Sequence, residues 1–517
     1  MSRYYKYLTE RDSLVYLIGA GPGDPSLITV RGLDLLRRAD VVLYDRLSDP
    51  QLLLETKPDC VLIDVGKSAG DHTRSQDDIT ALLTEHGSNE KTVVRLKGGD
   101  PYLFGRGGEE AEALAEAGIP FAVVPGVSAL VAATAYAGIP LTHREYASSV
   151  GIATGHGAAN KDGDPVRWRD LAGAVDTVAV FMGVGSLDTI ARELITGGMA
   201  PETPAAVIER GATPLQRSVT ATLATVAEKA RAASVKPPAL FVAGPTVALA
   251  ERLSWYRPGP LAGLTIGVTR PIRQSQSFAD RLRELGAQPV IMPTIQVRHT
   301  IAGDDVRAVM EKFEQYDCVA FMSANGVDAF FAGLAGNGRD ARALAGKMIA
   351  AIGPATAASL LGRGIVADLQ AETFIAEGLV EAFLGHYPVG GKRVLLVRSN
   401  IGRETLREGL EQAGATVDQA AFYATEQAEL HVPLRERIIQ GGIDVITFTS
   451  SSTVDGLFGQ MDAGDVPDTV KLASIGPETS AAIRRHGFAP AIEAEEYTTA
   501  GLARAIVMAL GGEGSDR

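Results

Sequence analysis

Short apolar segments alternate with helical patterns along almost the whole sequence, and this alternation restricts the fold more than any other feature. Segments rich in β-branched and aliphatic residues, such as 15–20, 92–99 and 264–269, are each followed by a helical pattern. A strand, a covering helix and a second strand form the repeating unit of parallel sheets. The sequence therefore predicts an α/β protein with largely parallel strands.

One stretch dense in proline and glycine, WYRPGPLAG at 255–263, interrupts this pattern. The 517 residues of the chain exceed the roughly 100–200 residues of an ordinary single domain. Proline and glycine at this density are typical of an extended connector between independently folded units. We expect one domain over 14–255, a linker over 256–263 and a second domain over 264–510.

The second half contains an internal repeat. DCVAFMSANGVDAF at 317–330 is similar to DVITFTSSSTVDGLF at 444–458, and IAAIGPATAASL at 349–360 is similar to LASIGPETSAAI at 472–483. Two copies of one strand and helix pattern predict two similar α/β lobes. A repeat by itself describes structure, so it assigns a binding site to neither lobe.

Charge and cysteine content argue against several classes of protein. The formal net charge of −13 disfavours nucleic acid or an anionic membrane as the main partner, because phosphate binding needs a basic surface. Cys60 and Cys318 have neither a CxxC partner nor a nearby histidine pair, which argues against a disulfide framework and a zinc site. The amino terminus fits neither a signal peptide nor a membrane anchor. We expect a cytoplasmic protein without a bound metal.

The first strand leads into a glycine-rich turn, VYLIGAGPGDPSLIT at 15–29. By itself this turn is a weak signal, because similar loops occur wherever a strand turns tightly into a helix. Pro22 and Pro25 do not fit the dinucleotide fingerprint, and no acidic residue follows the second strand in the expected way. A nicotinamide cofactor is therefore disfavoured.

Further motifs follow this turn in order: ADVVLYDRL (39–47), DVGKSAGDH (64–72), VVRLKGGDPYLFGRGGEEAEAL (93–114), VVPGVSA (123–129), AYAGIPLTHR (135–144), TGH (154–156), VFMGV (180–184) and ERGATPLQR (209–217). With these motifs, residues 14–255 resemble uroporphyrinogen III C-methyltransferase. The resemblance implies a class III methyltransferase fold of two α/β lobes, a homodimer formed through this half, S-adenosylmethionine as methyl donor and S-adenosylhomocysteine as product.

The resemblance also implies the positions that bind the methyl donor, which are Pro22, Gly98, Gly99, Asp100, Leu103, Ser128, Ala129, Met182, Gly211 and Ala239. Glycines let backbone amides approach a ligand closely. Asp100 can accept a hydrogen bond from a ribose hydroxyl or an amino group, and Met182 offers a soft apolar contact. Taken alone, Gly98 and Gly99 also fit an ordinary tight turn, and Asp100 also fits a turn starter.

Methylation of a pyrrole carbon needs no metal, but the ring must afterwards lose a proton. In the family pattern Asp45 matches the proton acceptor and Lys67 matches the proton donor. A carboxylate at a strand end is suited to general-base catalysis, and a lysine near carboxylates stays cationic. The alternative for each residue is an ordinary surface ion pair.

The carboxylates of such a substrate need cationic partners, and the planar guanidinium of arginine can bind a carboxylate through two hydrogen bonds. Arg46, Arg106 and Arg144 flank family motifs and are the predicted substrate-binding residues. Further cations beside these motifs are Lys67, Arg95, Lys97 and Arg217. Ser68 stands where many relatives carry arginine, so one cation on the substrate side is absent.

The second half carries its own ordered set of motifs: VTRP (268–271), FMSANGV (321–327), IGPATA (352–357), VLLVRS (394–399), FYAT (422–425), FTSSSTV (448–454), IGPETSAAI (475–483) and EEYTTAGL (495–502). Through them, residues 264–510 resemble uroporphyrinogen III synthase. That resemblance implies a fold of two α/β lobes that closes linear hydroxymethylbilane into a macrocycle without a cofactor, inverting the last pyrrole ring.

In the synthase pattern Tyr423 matches a tyrosine that assists departure of the bilane hydroxyl, while Thr356 and Thr479 match substrate-binding threonines at the lobe edges. Further binding candidates are Ser323, Asn325, Ser450 and Ser451. The threonines could instead cap helices. Tyr423 could instead be a half-buried strand residue.

Together the two resemblances imply a bifunctional enzyme that makes uroporphyrinogen III and methylates it twice to precorrin-2, on the route to siroheme and cobalamin. One alternative keeps the methyltransferase fold but acts on another precorrin. A second alternative, from a different class, treats the synthase-like half as a catalytically inactive regulatory or scaffolding module.

Overall fold

The computed structural model describes residues 15–57, 59–66, 75–88, 91–155, 166–257, 259–373, 375–400 and 404–511. The strands are β1 (Val15–Gly19), β2 (Val41–Tyr44), β3 (Val61–Asp64), β4 (Val93–Lys97), β5 (Phe121–Val124), β6 (Val150–Thr154), β7 (Thr177–Phe181), β8 (Pro204–Glu209), β9 (Arg217–Thr222), β10 (Ala239–Ala243), β11 (Thr265–Val268), β12 (Gln288–Ile291), β13 (Ile295–His299), β14 (Cys318–Phe321), β15 (Met348–Ala351), β16 (Leu369–Gln370), β17 (Arg393–Ser399), β18 (Thr416–Gln427), β19 (Val445–Phe448), β20 (Lys471–Ser474) and β21 (Ile492–Glu493).

The α-helices are α1 (Val30–Leu36), α2 (Gln76–Gly87), α3 (Gly107–Glu116), α4 (Ala129–Tyr136), α5 (Trp168–Ala174), α6 (Leu187–Thr196), α7 (Val226–Ala232), α8 (Ala250–Leu253), α9 (Ile272–Glu284), α10 (Asp304–Glu311), α11 (Ala324–Gly336), α12 (Pro354–Leu361), α13 (Ala376–His386), α14 (Thr405–Gln412), α15 (Val432–Ile439), α16 (Ser451–Phe458), α17 (Pro477–Arg485) and α18 (Thr499–Leu510). Among the helices described here, none combines the length and the apolar character needed to cross a membrane.

The first half contains two five-stranded sheets of different topology. In the order β3-β2-β4-β1-β5 all strands are parallel, and Leu17, Val41 and Val94 are fully buried. Cover on both faces explains the continuous apolar runs of these strands. In the order β6-β7-β10-β8-β9 only β6 and β7 pair in parallel. The predicted parallel pairing holds for the first sheet, whereas the short connection from β8 to β9 can join only antiparallel neighbours.

The second half is built as two lobes with one sheet each. The sheet β12-β11-β19-β20-β21 is parallel throughout, and the sheet β13-β18-β17-β14-β15-β16 is parallel except where β13 meets β18. The sequence repeat forms β14-α11-β15-α12 in one lobe and β19-α16-β20-α17 in the other. The prediction of two similar α/β lobes is confirmed.

The connector between the halves is packed at both ends. The indole of Trp255 donates to the carbonyl of Ala135 at 2.9 Å, and the hydroxyl of Tyr256 donates to the carbonyl of Thr213 at 3.3 Å. At the other end Leu261 is fully buried, and its N–H donates to the carbonyl of Leu285 at 2.9 Å. The first end of the connector is therefore tied to the first half by hydrogen bonds at the surface, whereas Leu261 belongs to the core of the second half. The domain boundaries at 255 and 264 stay a prediction.

A buried ion pair joins the two halves. A short 3-10 helix, Pro50–Glu55, lies against α9, where Arg283 binds the carboxylate of Asp49 at 2.7 Å and the side-chain oxygen of Gln51 at 2.8 Å. The side chains of Arg283 and Asp49 are only 15% and 5% exposed. The halves thus form a specific polar interface in addition to their covalent connection.

We predict that Arg283→Met destabilises this interface, because it leaves the Asp49 carboxylate buried without its cation. Loss of one partner of a buried pair typically costs about 3–5 kcal/mol. Urea denaturation followed by tryptophan fluorescence would measure the loss. The matched control is Arg281→Met on the same helix, which removes an exposed pair with Glu284 and should cost less than about 1 kcal/mol. Equal effects of the two changes would contradict the structural role of the buried pair.

Candidate active sites

Three strand ends of the first sheet meet at glycines. Gly99, after β4, forms a bridge with Gly21, after β1: the N–H of Gly99 donates to the Gly21 carbonyl at 2.7 Å, and the N–H of Gly21 donates to the Gly99 carbonyl at 3.3 Å. A Cβ on Gly126, after β5, would collide with the Gly99 carbonyl, and a Cβ on Gly19 would lie 2.6 Å from the Gly126 nitrogen. Only residues without a side chain allow this approach, so the strand ends pack backbone against backbone.

Asp100 ties this junction together. One carboxylate oxygen accepts hydrogen bonds from the N–H groups of Tyr102 at 2.8 Å and Leu103 at 3.1 Å, and the other accepts from the N–H of Gly126 at 3.0 Å. The first two bonds are those of a turn starter, the alternative that the sequence offered, whereas the bond from Gly126 was not predicted. The predicted contact of Asp100 with the methyl donor has to use the remaining acceptor capacity and stays a prediction.

The loops of the two sheets contact each other. The ring of Phe104, after β4, lies 5.1 Å from that of Phe181 at the end of β7, and a Cβ on Gly23 would collide with the side chain of Thr213. Five residues in these loops adopt left-handed backbone conformations that are unusual outside glycine: Phe104, Arg106, Met182, Arg210 and Ala212. Backbone strain is common at functional sites, so these loops form a candidate site.

The remaining predicted cofactor positions lie in these loops or in the elements next to them. Ser128 begins α4 and accepts a hydrogen bond from the N–H of Leu130 at 3.2 Å, with Ala129 as the first helical residue. A Cβ on Gly211 would collide with Ala133, so α4 packs directly against that loop. Ala239 lies in β10 opposite Glu209. Met182 is half exposed, and Pro22 and Gly98 flank the glycine junction.

Asp45 follows β2 beside this junction. One carboxylate oxygen accepts from the N–H of Leu47 at 3.1 Å, the hydroxyl of Ser48 at 3.2 Å and the N–H of Gly98 at 3.3 Å. The other oxygen lies 3.5 Å from the guanidinium of Arg95, and the side chain stays 24% exposed. The carboxylate is therefore oriented yet open to a ligand. Lys67, the predicted proton donor, lies outside the described residues.

A buried charge network lies behind Asp45. The carboxylate of Glu110, on α3, is completely buried, and one of its oxygens accepts from Arg95 at 3.2 Å and from Lys97 at 2.8 Å. Burial, reinforced by the nearby Arg95 charge, lowers the pKa of Lys97. Arg95 and Lys97 are thus paired inside the protein and do not face a substrate. Sequence reasoning missed Glu110, although two cations in a buried parallel strand call for an acidic partner.

The predicted substrate cations occupy exposed positions. Arg46 and Arg144 are exposed, and Arg106 pairs at 2.6 Å with Glu109, both side chains being 53% exposed. Such surface pairs contribute little free energy, so Arg106 can exchange its partner for a ligand carboxylate. Arg217 pairs with Glu209.

A second site lies between the lobes of the other half. It is a cleft of about 320 Å³, lined by Arg270, Pro271, Gln274, Ile295, Val297, Asn325, Ser399, Tyr423, Thr425, Thr449, Ser450, Ser452 and Thr453. The ring of Tyr423 packs in a hydrophobic core, while its hydroxyl lies 2.8 Å from that of Ser323. Ser323 and Ser450, at equivalent positions of the repeat, begin α11 and α16. Hydroxyl groups and helix amino termini therefore meet at this cleft.

Not every predicted synthase residue lines the cleft. Asn325 and Ser450 do, but Ser451 donates to the carbonyl of Glu478 at 3.2 Å. Thr356 and Thr479 are buried in the first turns of α12 and α17, behind the N-cap residues Gly353 and Gly476. The two threonines occupy equivalent positions in the repeat without being N-caps.

Comparison with known proteins identifies both halves. Residues 14–227 match the family model for tetrapyrrole (corrin/porphyrin) methylases, and residues 276–504 match the model for uroporphyrinogen-III synthase. The porphyrin biosynthesis protein HemD of Ruminiclostridium josui is 38% identical over 91% of this chain and 93% of its own length. The uroporphyrinogen-III C-methyltransferase of Bacillus subtilis is 40% identical over 66% of this chain and 70% of its own.

The relatives named siroheme synthase align with less of the chain. Siroheme synthase 2 of Aeromonas hydrophila is 49% identical over 48% of this chain and 52% of its own length. The long alignment with the porphyrin biosynthesis protein, by contrast, includes both halves. The chain therefore belongs to the family of porphyrin biosynthesis proteins in which a tetrapyrrole methyltransferase domain is fused to a uroporphyrinogen-III synthase domain.

Proposed function

We propose that this chain is a bifunctional enzyme. Its second half cyclises hydroxymethylbilane to uroporphyrinogen III with inversion of ring D, and its first half transfers two methyl groups from S-adenosylmethionine to that product, giving precorrin-2 for siroheme and cobalamin. The proposal rests on one observation above all: a porphyrin biosynthesis protein of similar sequence aligns with both halves. It is supported by the oriented Asp45 carboxylate in the first half and by the cleft that Tyr423 lines in the second.

The first half has the groups that methyl transfer to carbon requires. S-adenosylmethionine supplies an electrophilic methyl group on a sulfonium, and a pyrrole carbon takes that methyl as the carbon–sulfur bond breaks. The ring must then lose a proton, and Asp45 is the proposed acceptor. Its carboxylate is fixed by two backbone N–H groups and by Arg95, so it is oriented before the substrate arrives. Glu110 holds Arg95 in turn and acts as a positioning residue.

The second half needs to hold a flexible bilane and to help its hydroxyl leave. The phenol of Tyr423, hydrogen-bonded to Ser323, is the proposed proton donor to the departing hydroxyl. Loss of that hydroxyl gives an azafulvene cation, which a pyrrole carbon then attacks. Cleft shape decides which carbon attacks, so positioning supplies the specificity.

The resemblance also supports a cytoplasmic homodimer joined through the methyltransferase half, with S-adenosylhomocysteine as the second product. Nucleic acid and membranes have no part in the proposal. Size-exclusion chromatography with light scattering on the full chain would measure the oligomeric state.

Incubation of the full chain with hydroxymethylbilane and S-adenosylmethionine, followed by mass spectrometry, tests the proposal directly. We expect a dimethylated type III product with the methyl donor and uroporphyrinogen III without it. Formation of the type I isomer at the uncatalysed rate, with normal methylation of supplied uroporphyrinogen III, would mean that the synthase half is a catalytically inactive module.

We predict that Asp45→Asn lowers precorrin-2 formation by roughly 100- to 10,000-fold, the usual contribution of a general base. Asparagine keeps one acceptor oxygen for the loop amides but accepts a proton poorly. Binding of S-adenosylmethionine, measured by calorimetry, should remain near that of the wild type. Asp34→Asn, on the exposed side of α1, changes charge by the same amount and should leave turnover unchanged. Near-normal turnover of Asp45→Asn would reject its catalytic role.

We predict that Tyr423→Phe gives a stable protein that cyclises bilane slowly and releases type I isomer alongside type III. The change removes the hydroxyl but keeps the ring that packs in the core. Tyr316→Phe is the matched control, because Tyr316 belongs to the same core and also loses a hydrogen bond, at 2.9 Å to Asp418, but lies outside the cleft lining. Isomer ratios from liquid chromatography decide the matter. Equal ratios of type I to type III isomer in Tyr423→Phe and Tyr316→Phe would mean that Tyr423 has only a packing role.

A further inference from the structure

Arg270 is the charged residue of the cleft lining, and its guanidinium is incompletely bonded. It follows β11 and lines the cleft beside Gln274. Its Nε is fully enclosed and has no hydrogen-bond partner among the described residues. One terminal nitrogen reaches the side-chain oxygen of Gln274, but only at 3.4 Å, which is a weak contact. Arg270 is a partly buried side chain, and its Nε–H has no acceptor among the described residues.

Arg270 has no carboxylate partner in the described lining of the cleft. Among the described residues that line it, none is an aspartate or a glutamate. Other partly buried arginines of this half have acidic partners, for example Arg393 with Asp418 at 2.9 Å and Arg398 with Glu404 at 2.7 Å. Burial lowers the pKa of Arg270, yet a guanidinium stays protonated in proteins. An enclosed cation without a counter-ion is unfavourable unless a ligand supplies the anion.

Arg270 lies where the two lobes meet. Gln274, its neighbour on α9, donates to the side-chain oxygen of Asn325 on α11 in the opposite lobe. Tyr423 belongs to that opposite lobe, in β18, and lines the same cleft. A ligand held by Arg270 is therefore anchored on one lobe, while the group that assists departure of the hydroxyl acts from the other.

We propose that Arg270 binds a carboxylate of the linear tetrapyrrole and so fixes the bilane relative to Tyr423. The guanidinium lines the cleft, and its terminal nitrogens can hold a carboxylate through charge-assisted hydrogen bonds. This assignment deepens the proposed synthase function and rests on it. The anion recognised is a propionate or acetate arm of the substrate.

The test compares Arg270→Gln with Arg273→Gln in the full-length protein. Arg273 lies on α9 three residues away, is exposed, and does not line the cleft. We expect Arg270→Gln to raise the KM for hydroxymethylbilane by roughly 10- to 100-fold, as loss of a charge-assisted pair does, and to increase the share of type I isomer. Arg273→Gln should keep the wild-type KM and isomer ratio. A wild-type KM in Arg270→Gln would overturn the proposal.

Chemical rescue separates binding from folding. We expect the raised KM of Arg270→Ala for hydroxymethylbilane to fall towards the wild-type value when guanidinium ion is added, because the free cation can occupy the vacated position. A folding defect would not respond in this way. Arg270→Lys keeps the positive charge but loses the planar guanidinium, so its KM should lie between those of the wild type and Arg270→Gln. Rescue that is absent in a variant of normal thermal stability would count against a carboxylate anchor.

A binding experiment distinguishes failure of this proposal from failure of the proposed function. Uroporphyrin III, whose fluorescence reports binding, is titrated into wild type, Arg270→Gln and Arg273→Gln, and the methyltransferase half contributes equally to all three. Suppose that the wild type makes no uroporphyrinogen III, and that Arg270→Gln alone loses one component of the binding isotherm. The proposed synthase activity is then wrong, but Arg270 still binds a carboxylate. If the wild type is active and all three isotherms coincide, the anion site fails alone.

Discussion

When parallel strands are covered on both faces, a polar side chain can occupy one of two positions. It lies either at the end of a strand or inside the protein beside a partner. Both halves of this chain obey that constraint. In the first sheet β1 ends at Gly19, and Asp45 and Gly99 follow the ends of β2 and β4. In the second half Arg270 follows β11 and Ser450 follows β19 in the same way. Most of the candidate site residues therefore lie at the carboxyl ends of parallel strands, whereas Tyr423 lies within β18.

Glu110 belongs to the polar residues that are buried beside a partner. Two cations inside β4 would be costly to bury, and the fully buried carboxylate of α3 compensates them. One carboxylate oxygen of Glu110 has no hydrogen-bond partner in the part of the chain that the structure describes. Such a network contributes little to stability compared with apolar packing, so its value lies in orientation. It holds Arg95 against Asp45 and thereby fixes the direction of the proposed base.

Local patterns in the sequence predicted the fold well, because they reflect local physics. The repeat at 317–360 and 444–483 predicted two lobes, and alternating strand and helix patterns predicted the α/β class. Pairing between distant segments was not predictable. The partnership of Arg95 with Glu110, the ion pair of Arg283 with Asp49 and the isolation of Arg270 depend on which segments meet in space. Asp100 shows the intermediate case, since a turn starter was one of its predicted roles but the bond from Gly126 was not predicted.

Helix α9 connects these constraints across the whole molecule. Its amino-terminal end lies at the synthase cleft, where Gln274 contacts Arg270 and Asn325. Its carboxyl-terminal end carries Arg283, which binds the segment that follows the Asp45 loop. Thirteen residues of α-helix span only about 20 Å, so these two sets of contacts lie close together in space. One helix therefore contributes both to the cleft between the lobes of the second half and to the buried ion pair beside the Asp45 loop of the first half.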